Sequence, residues 1–138
     1  MTSRPLTRIL LVEDDPDIQM VASLALSRIG GFEVRISGSA LEALREAPGF
    51  DPDLILLDVM MPGMDGPAAL AALRSLPATA GTPVIFMTAK IQPHEMAQYR
   101  KLGSAGVIAK PFDPAALAQR VRELWREYHD GSPQPTPS

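Results

Sequence analysis

The stretch Asp53-Leu54-Ile55-Leu56-Leu57-Asp58-Val59-Met60-Met61-Pro62-Gly63-Met64-Asp65-Gly66 decides the fold. Leu54 to Leu57 is an unbroken apolar run that meets a carboxylate at Asp58. Asp51-Pro52 bounds the run on one side and Pro62-Gly63 on the other. A short continuous run of this kind reads as a strand buried on both faces, in the middle of a parallel sheet covered by helices. Asp58 then stands at the carboxyl end of a central strand, the edge where ligands bind in open α/β sheets. A carboxylate placed there needs a cation, a hydrogen-bonded setting or a reaction to perform.

Working outward, Arg8 to Val12 is a second apolar run and the first strand, ending in Glu13-Asp14-Asp15-Pro16. Asp15-Pro16 is a cap-plus-proline helix start. That helix is expected to reach about Ile29, with Ile18, Val21, Ala22, Ala25 and Ile29 on its buried stripe and Gly30-Gly31 ending it. Phe32 to Ile36 reads as an outer strand, and Ser39 to Glu42 as a capping box opening a second helix that Pro48-Gly49 closes. Beyond Gly66, an Ala/Leu-rich helix runs from Pro67 to about Leu76, where Pro77 stops it. Pro83 to Met87 is a buried strand ending in Thr88-Ala89-Lys90, and Pro93 opens a helix that ends at Gly103. Ala105 to Ala109 is a short strand ending in Lys110-Pro111, and Asp113-Pro114 starts a last helix to about Tyr128. Five strands alternating with five helices predict an α/β fold, a doubly wound parallel sheet with helices on both faces. The expected organisation is a disordered stretch 1–7, one domain over 8–130 and a flexible Pro/Ser-rich tail over 131–138.

At 138 residues the chain has the length of one domain and can bury a core without staples. A formal net charge of −3 with no basic stripe argues against direct nucleic-acid binding. The chain has no cysteine, which excludes disulfides and thiolate metal sites. No apolar run approaches the roughly 20 residues of a membrane span. Met1 to Thr7 is too short and polar for a signal peptide, so a cytoplasmic location is expected.

In a parallel sheet all strand ends share one edge, which gathers Glu13, Asp14, Asp58, Thr88 and Lys110. Three carboxylates in one place repel, and a hard divalent cation removes the repulsion. Mg²⁺ suits a few carboxylates together with waters and a phosphate oxygen. Asp58 can then attack a phosphoryl group and form an acyl phosphate. Lys110 and the cation would neutralise the incoming charge, and Thr88 would hydrogen-bond a phosphoryl oxygen.

Four stretches carry a family resemblance: Ile9 to Pro16, Leu56 to Gly66, Met87 to Ala89 and Ala109 to Phe112. In their sequence and spacing the chain resembles the receiver domain of bacterial two-component response regulators, over roughly Arg8 to Tyr128. The resemblance implies strand order 2-1-3-4-5 and phosphate transfer to Asp58 from a histidine kinase or phosphotransfer protein. It implies Mg²⁺, with Mn²⁺ as a substitute, held by Glu13, Asp14, Asp58 and the backbone carbonyl of Met60. It also implies that Thr88 moves toward the phosphoryl group, that Lys110 contacts it, and that the Lys110-Pro111 bond is cis. The expected product is a switch that binds an output protein, not a turnover enzyme. It would act as a monomer or a weak phosphorylation-dependent dimer, without membrane or direct nucleic-acid contact.

Other polar residues have plainer readings. Asp15 and Asp65 are helix caps, and Gly63 and Gly66 serve backbone geometry. His94 and His129 are surface residues, too few for a usual zinc site. Met60 and Met61 are packing or interface residues at the rim. Leu117, Val121, Leu124 and Tyr128 form the core stripe of the last helix, with Trp125 at its edge. Lys90 and Met60 flank the site, each two residues beyond a site residue. Where many receivers carry an aromatic residue three positions before the lysine, this chain has Val107, so its signalling needs backbone or helix shifts. Ser104-Ala105-Gly106 lacks the acidic residues of one known dimer mode, although Arg120 stands at a plausible partner position. A competing class, an aspartyl-phosphate phosphohydrolase, wants a proton donor where Met60 stands and a substrate cap that no insertion supplies. An unphosphorylated binding module on the same fold would be favoured only if one of the acids were missing.

Overall fold

Leu54 and Leu56 of the central strand enter one hydrophobic layer while Ile55 and Leu57 enter the other. That two-sided burial is why the run needs no polar alternation. The structure is a computed structural model and describes residues 5–89 and 93–130. Its elements are β1 Arg8–Val12, α1 Pro16–Leu24 continued by a π turn Ala25–Ile29, β2 Glu33–Ser37, α2 Ala40–Phe50 and β3 Leu54–Asp58. They continue as α3 Gly66–Ser75, β4 Val84–Thr88, α4 Pro93–Lys101, β5 Gly106–Ala109 and α5 Pro114–His129. The five strands form one parallel sheet in the order β2-β1-β3-β4-β5, as the resemblance implied. In register, Leu56 stands beside Leu11 on one neighbour and Ile85 on the other.

The layer of α1 and α5 is closed by Ala22, Ala25, Leu26, Leu117, Val121 and Leu124 against Ile9, Leu11, Leu56 and Met87. The opposite layer sets Ala43, Ala47, Leu70, Leu73 and Tyr99 against Leu10, Ile55, Leu57 and Phe86. Each large side chain buried this way contributes about 1.5–3 kcal/mol. Gly106 marks a close approach: a Cβ there would lie 2.7 Å from Leu124 Cδ2. Any side chain at that point of β5 would require the Leu124 side chain to shift.

The caps follow the sequence. Asp15, Asp65 and Asp113 each accept a first-turn amide, from Asp17, Ala68 and Ala115. Ser39 Oγ accepts from the Glu42 amide at 3.1 Å, but the Glu42 carboxylate reaches back to the amide of Gly38 rather than of Ser39. Three expectations are corrected. Pro48-Gly49 does not end α2. The helix runs through Pro48 to Phe50 and ends at Asp51, in the left-handed region at φ 56°. Burial of Phe50 offsets the one amide bond that Pro48 cannot make. On α1 the buried face is Ala22, Ala25 and Leu26, while Val21 and Ile29 face solvent. The π turn adds a residue to the last turn, with the Gly30 amide donating to Ala25 O, and so rotates Ile29 off the core. Tyr128 is exposed; Ala118 takes its place in the α5 core stripe.

Of the stretch 1–7, residues 5–7 are described, and the Thr7 amide donates to Asp53 Oδ2 at 2.9 Å. Lys90 and the stretch 131–138 lie outside the described residues.

Candidate functional site

Parallel strands deliver their carboxyl ends to one rim, and the local chain there is held by backbone bonds. The Glu13 amide donates to Ser37 O at 3.0 Å, the Val59 amide to Met87 O at 2.9 Å and the Lys110 amide to Thr88 O at 2.8 Å. These bonds carry the sheet pairing past the strand ends, so the side chains that follow are fixed in place. Glu13 is fully buried and Asp58 is 2% exposed, whereas Asp14 is open to solvent. Glu13, Asp14 and Asp58 each present a carboxylate oxygen within 4.8 Å of the other two.

Among the described residues, one lysine pairs with two of these three acids. Lys110 Nζ lies 3.0 Å from Glu13 Oε1 and 3.2 Å from Asp58 Oδ1. Asp58 Oδ1 also accepts from the Met60 amide at 3.1 Å, which fixes the plane of the carboxylate. The Asp15 amide donates to Glu13 Oε2 at 3.1 Å. Burial raises the Glu13 pKa above the usual carboxylate value; the Asp15 amide and Lys110 pull against it, and the Asp58 charge adds to the rise. Burial also works against the Lys110 ammonium, but its hydrogen bond to Glu13 and the charges of Asp58 and Glu13 outweigh that and hold its pKa above the ordinary lysine value. The arrangement is short of positive charge. It fits a hard divalent cation by its donor set, carboxylate oxygens with no sulfur or imidazole.

The structure thus brings Glu13, Asp14, Asp58 and Lys110 together, with Met60 and Ala89 lining the same cavity of about 220 Å³. Thr88 is buried at the end of β4, across the ladder from Ala109 and next in sequence to Ala89. Met60 is 69% exposed at the rim, whereas Met61 is in the core. The Lys110-Pro111 bond is cis. His94 and His129 are exposed. Arg120 is exposed and paired within its own helix to Glu123 at 3.2 Å. Sequence reasoning missed the second task of Asp15, whose amide holds Glu13, and it missed Gln19. The Gln19 side-chain amide donates to Glu13 O at 2.6 Å. The signal was its place on the first turn of α1, one turn beyond the acids. A further cavity of about 410 Å³ adjoins the acid site, shares Ile18, Ala89 and Lys110 with it, and is walled by Val21, Pro111 and Phe112.

A family model described as the response regulator receiver domain matches residues 9–122. The DNA-binding response regulator MtrA of Mycolicibacterium smegmatis is 36% identical over 123 residues, which are 89% of this chain and 52% of that protein. The chain therefore spans about half the length of that relative. The chemotaxis response regulator CheY4 of Vibrio cholerae superposes with a TM-score of 0.80 at 28% identity, over 87% of this chain and 99% of that one. The receiver domain of the sensor histidine kinase PA1611 of Pseudomonas aeruginosa, solved with a magnesium ion coordinated in its active-site cleft, superposes with a TM-score of 0.75 at 32% identity. That likeness covers 86% of this chain and 96% of the other.

Proposed function

The chain belongs to the response regulator receiver domain family, and we propose that Asp58 is its phosphoacceptor, loaded by a histidine kinase or phosphotransfer protein in a Mg²⁺-dependent reaction. The single observation carrying this reading is the buried Asp58 carboxylate inside a three-acid cluster that, among the described residues, one lysine only partly neutralises. A carboxylate kept merely for structure gains nothing from two acidic neighbours.

In the proposed reaction an Asp58 oxygen forms a bond to phosphorus as the bond from phosphorus to the donor nitrogen breaks, and the imidazole leaves with that electron pair. The Met60 amide and Lys110 orient the attacking carboxylate. Lys110, moving with the phosphoryl charge, would balance it, and Thr88 would donate its hydroxyl to a phosphoryl oxygen. Glu13, Asp14, Asp58 and the Met60 carbonyl would hold Mg²⁺, or Mn²⁺ in its place. When bound, the ion supplies charge neutralisation for the acids and the transferred group. The apolar cavity along Ile18, Val21 and Phe112 gives a donor protein a surface against which to bring its phosphohistidine to this rim.

Residues 8–130 form the proposed receiver unit. The matched stretch is about half of each DNA-binding relative, and their DNA binding belongs to those whole proteins. For this chain the proposed output is a change of partner-binding surface, in the cytoplasm, by a monomer or weak dimer. Among the described residues no helix is long and apolar enough to cross a membrane.

The test is incubation with acetyl phosphate and Mg²⁺, read by intact mass. One phosphoryl group gained, absent with chelator and absent in Asp58→Asn, is the expected result. No gain in the wild-type chain would sink the reading. Many turnovers of the phosphodonor per chain would instead favour a phosphohydrolase, against the lack of a proton donor at Met60.

A further inference from the structure

The outer face of α1 and its π turn carries a stripe that the chemistry at Asp58 does not use. Asp17, Val21, Leu24 and Arg28 follow one another at spacings of four, three and four residues, the spacing of a helix seam. Their surroundings agree. Asp17 and Val21 wall the cavity of about 410 Å³ beside the acid site, and Val21, Leu24 and Arg28 wall a groove of about 510 Å³ that reaches Ile29 and Pro114. Val21 belongs to both, so they form one trough along the helix. Val21 is 42% exposed and Leu24 48%, and the π turn adds Ile29 to the same outer face. Apolar residues scattered singly on a surface need no explanation, but a contiguous stripe at seam spacing does. Asp17 stands in the first turn and Arg28 in the last, both exposed, and among the described residues neither makes an ion pair. Each suits the helix dipole at its own end. The dipole does not require them to share a face with Val21 and Leu24.

In order the stripe reads acid, apolar, apolar, base, so it is complementary to itself when reversed. About a two-fold axis passing between residues 22 and 23, Val21 meets the partner's Leu24 and Asp17 meets the partner's Arg28. A parallel pair would instead set acid against acid and base against base. We propose that a second copy of this chain covers this face as an antiparallel α1–α1 pair, packed through Val21 and Leu24 and held in register by Asp17–Arg28 pairs at both ends. Such an interface is isologous, the commonest kind in homodimers. The stripe is about 17 Å long and falls short of the roughly 20–30 residues a side in a stable complex. The association is therefore weak and governed by concentration. Val21 also lies in the wall offered above to a phosphodonor protein, so a paired chain would be closed to that donor. This consequence rests on the phosphoacceptor reading, whereas the pairing does not.

Sedimentation equilibrium of the full chain from about 10 μM to about 1 mM reads the pairing directly. The samples are wild type, Asp17→Arg, Arg28→Asp, an equimolar mixture of those two variants, and Leu24→Glu. Circular dichroism checks that each is folded, which the exposure of all three positions favours. Wild type should self-associate. Each charge reversal puts like charges at both ends of the seam and should weaken self-association at least about tenfold. In the mixture a hetero-pair regains opposite charges at both ends, so association should return to within about threefold of wild type. Leu24→Glu keeps both end charges and should still dissociate the pair, because it breaks the apolar centre. A wild-type chain that stays monomeric at about 1 mM would overturn the inference and leave this face to a donor protein. Self-association unmoved by the charge reversals or by Leu24→Glu would give the dimer to another surface and overturn it too. A mixture no more associated than its two members would do the same. No phosphodonor enters the experiment, so its failure is distinct from failure of the acetyl phosphate test.

Discussion

Asp53 and Asp58 flank the run Leu54 to Leu57 at its two ends, both buried, and they stand in different surroundings. Asp53, 8% exposed, takes two backbone amides on one oxygen, from Thr7 at 2.9 Å and Arg8 at 2.8 Å. It fastens the start of β1 to the start of β3. Asp58 takes one amide and shares one ammonium with Glu13, with a third acid beside them. Backbone donors that cannot leave fasten a carboxylate into the structure. Acids crowded around a single lysine make a site that is relieved by something arriving. What distinguishes the two rims is the crowding of acids: Asp58 shares its ammonium with Glu13 and has Asp14 beside it, while backbone amides fasten Asp53.

The largest expected effect separates the two by truncation. Asp53→Ala leaves the Thr7 and Arg8 amides without their acceptor, which costs about 2–3 kcal/mol. Thermal unfolding should show this as a drop on the order of 10 °C. Asp58→Ala removes an acid from a repelling set while Lys110 keeps Glu13, so its unfolding midpoint should stay within about 2 °C of wild type. Phosphorylation should behave in reverse, lost in Asp58→Ala and retained in folded Asp53→Ala. Equal destabilisation by the two changes would erase the contrast.

This contrast also marks how far the sequence could be read. Every acid-site residue stands at the end of a strand or within two residues of it, and a parallel sheet brings such positions to one rim whatever the details of packing. Glu13, Asp58 and Lys110 were legible for that reason. Asp53 was not, because its meaning depends on amides some 45 residues earlier in the chain. Local patterns failed where one residue alters a helix. The π turn rotated Ile29 outward, and burial of Phe50 carried α2 through Pro48. Tyr128 satisfied the spacing of the α5 stripe but is exposed. Ser104-Ala105-Gly106 read only as lacking acids, whereas Gly106 is also the place where β5 comes closest to the Leu124 side chain.

A smaller effect sharpens the acid rim itself. Met60 lines the cavity and is exposed, but a thioether cannot orient a water for attack on an aspartyl phosphate. An amide there could. Met60→Asn should speed spontaneous phosphate loss about tenfold, equivalent to about 1.4 kcal/mol off the barrier. A phosphate-release time course after removal of the phosphodonor measures it, and no gain in rate would remove Met60 from any part in the lifetime of the phosphorylated state.

The smallest effect has a sign that depends on the medium, which makes it informative. Asp14 is exposed, so Asp14→Asn removes only like-charge repulsion from the metal-free chain and should raise its stability by at most about 0.5 kcal/mol at neutral pH. In millimolar Mg²⁺ the order should reverse. A ligand that binds the native state stabilises it in proportion to its affinity, and the variant gives up one of the proposed ligands. Lowering the pH should abolish the metal-free gain, because it requires charged neighbours. Burial has raised the Glu13 pKa, so the gain should begin to fade above the ordinary carboxylate range. Unfolding midpoints in chelator and in Mg²⁺, each at two pH values, test all three statements. A gain that persists unchanged in Mg²⁺ would mean that Asp14 takes no part in holding the ion, leaving Glu13 and Asp58 to do so.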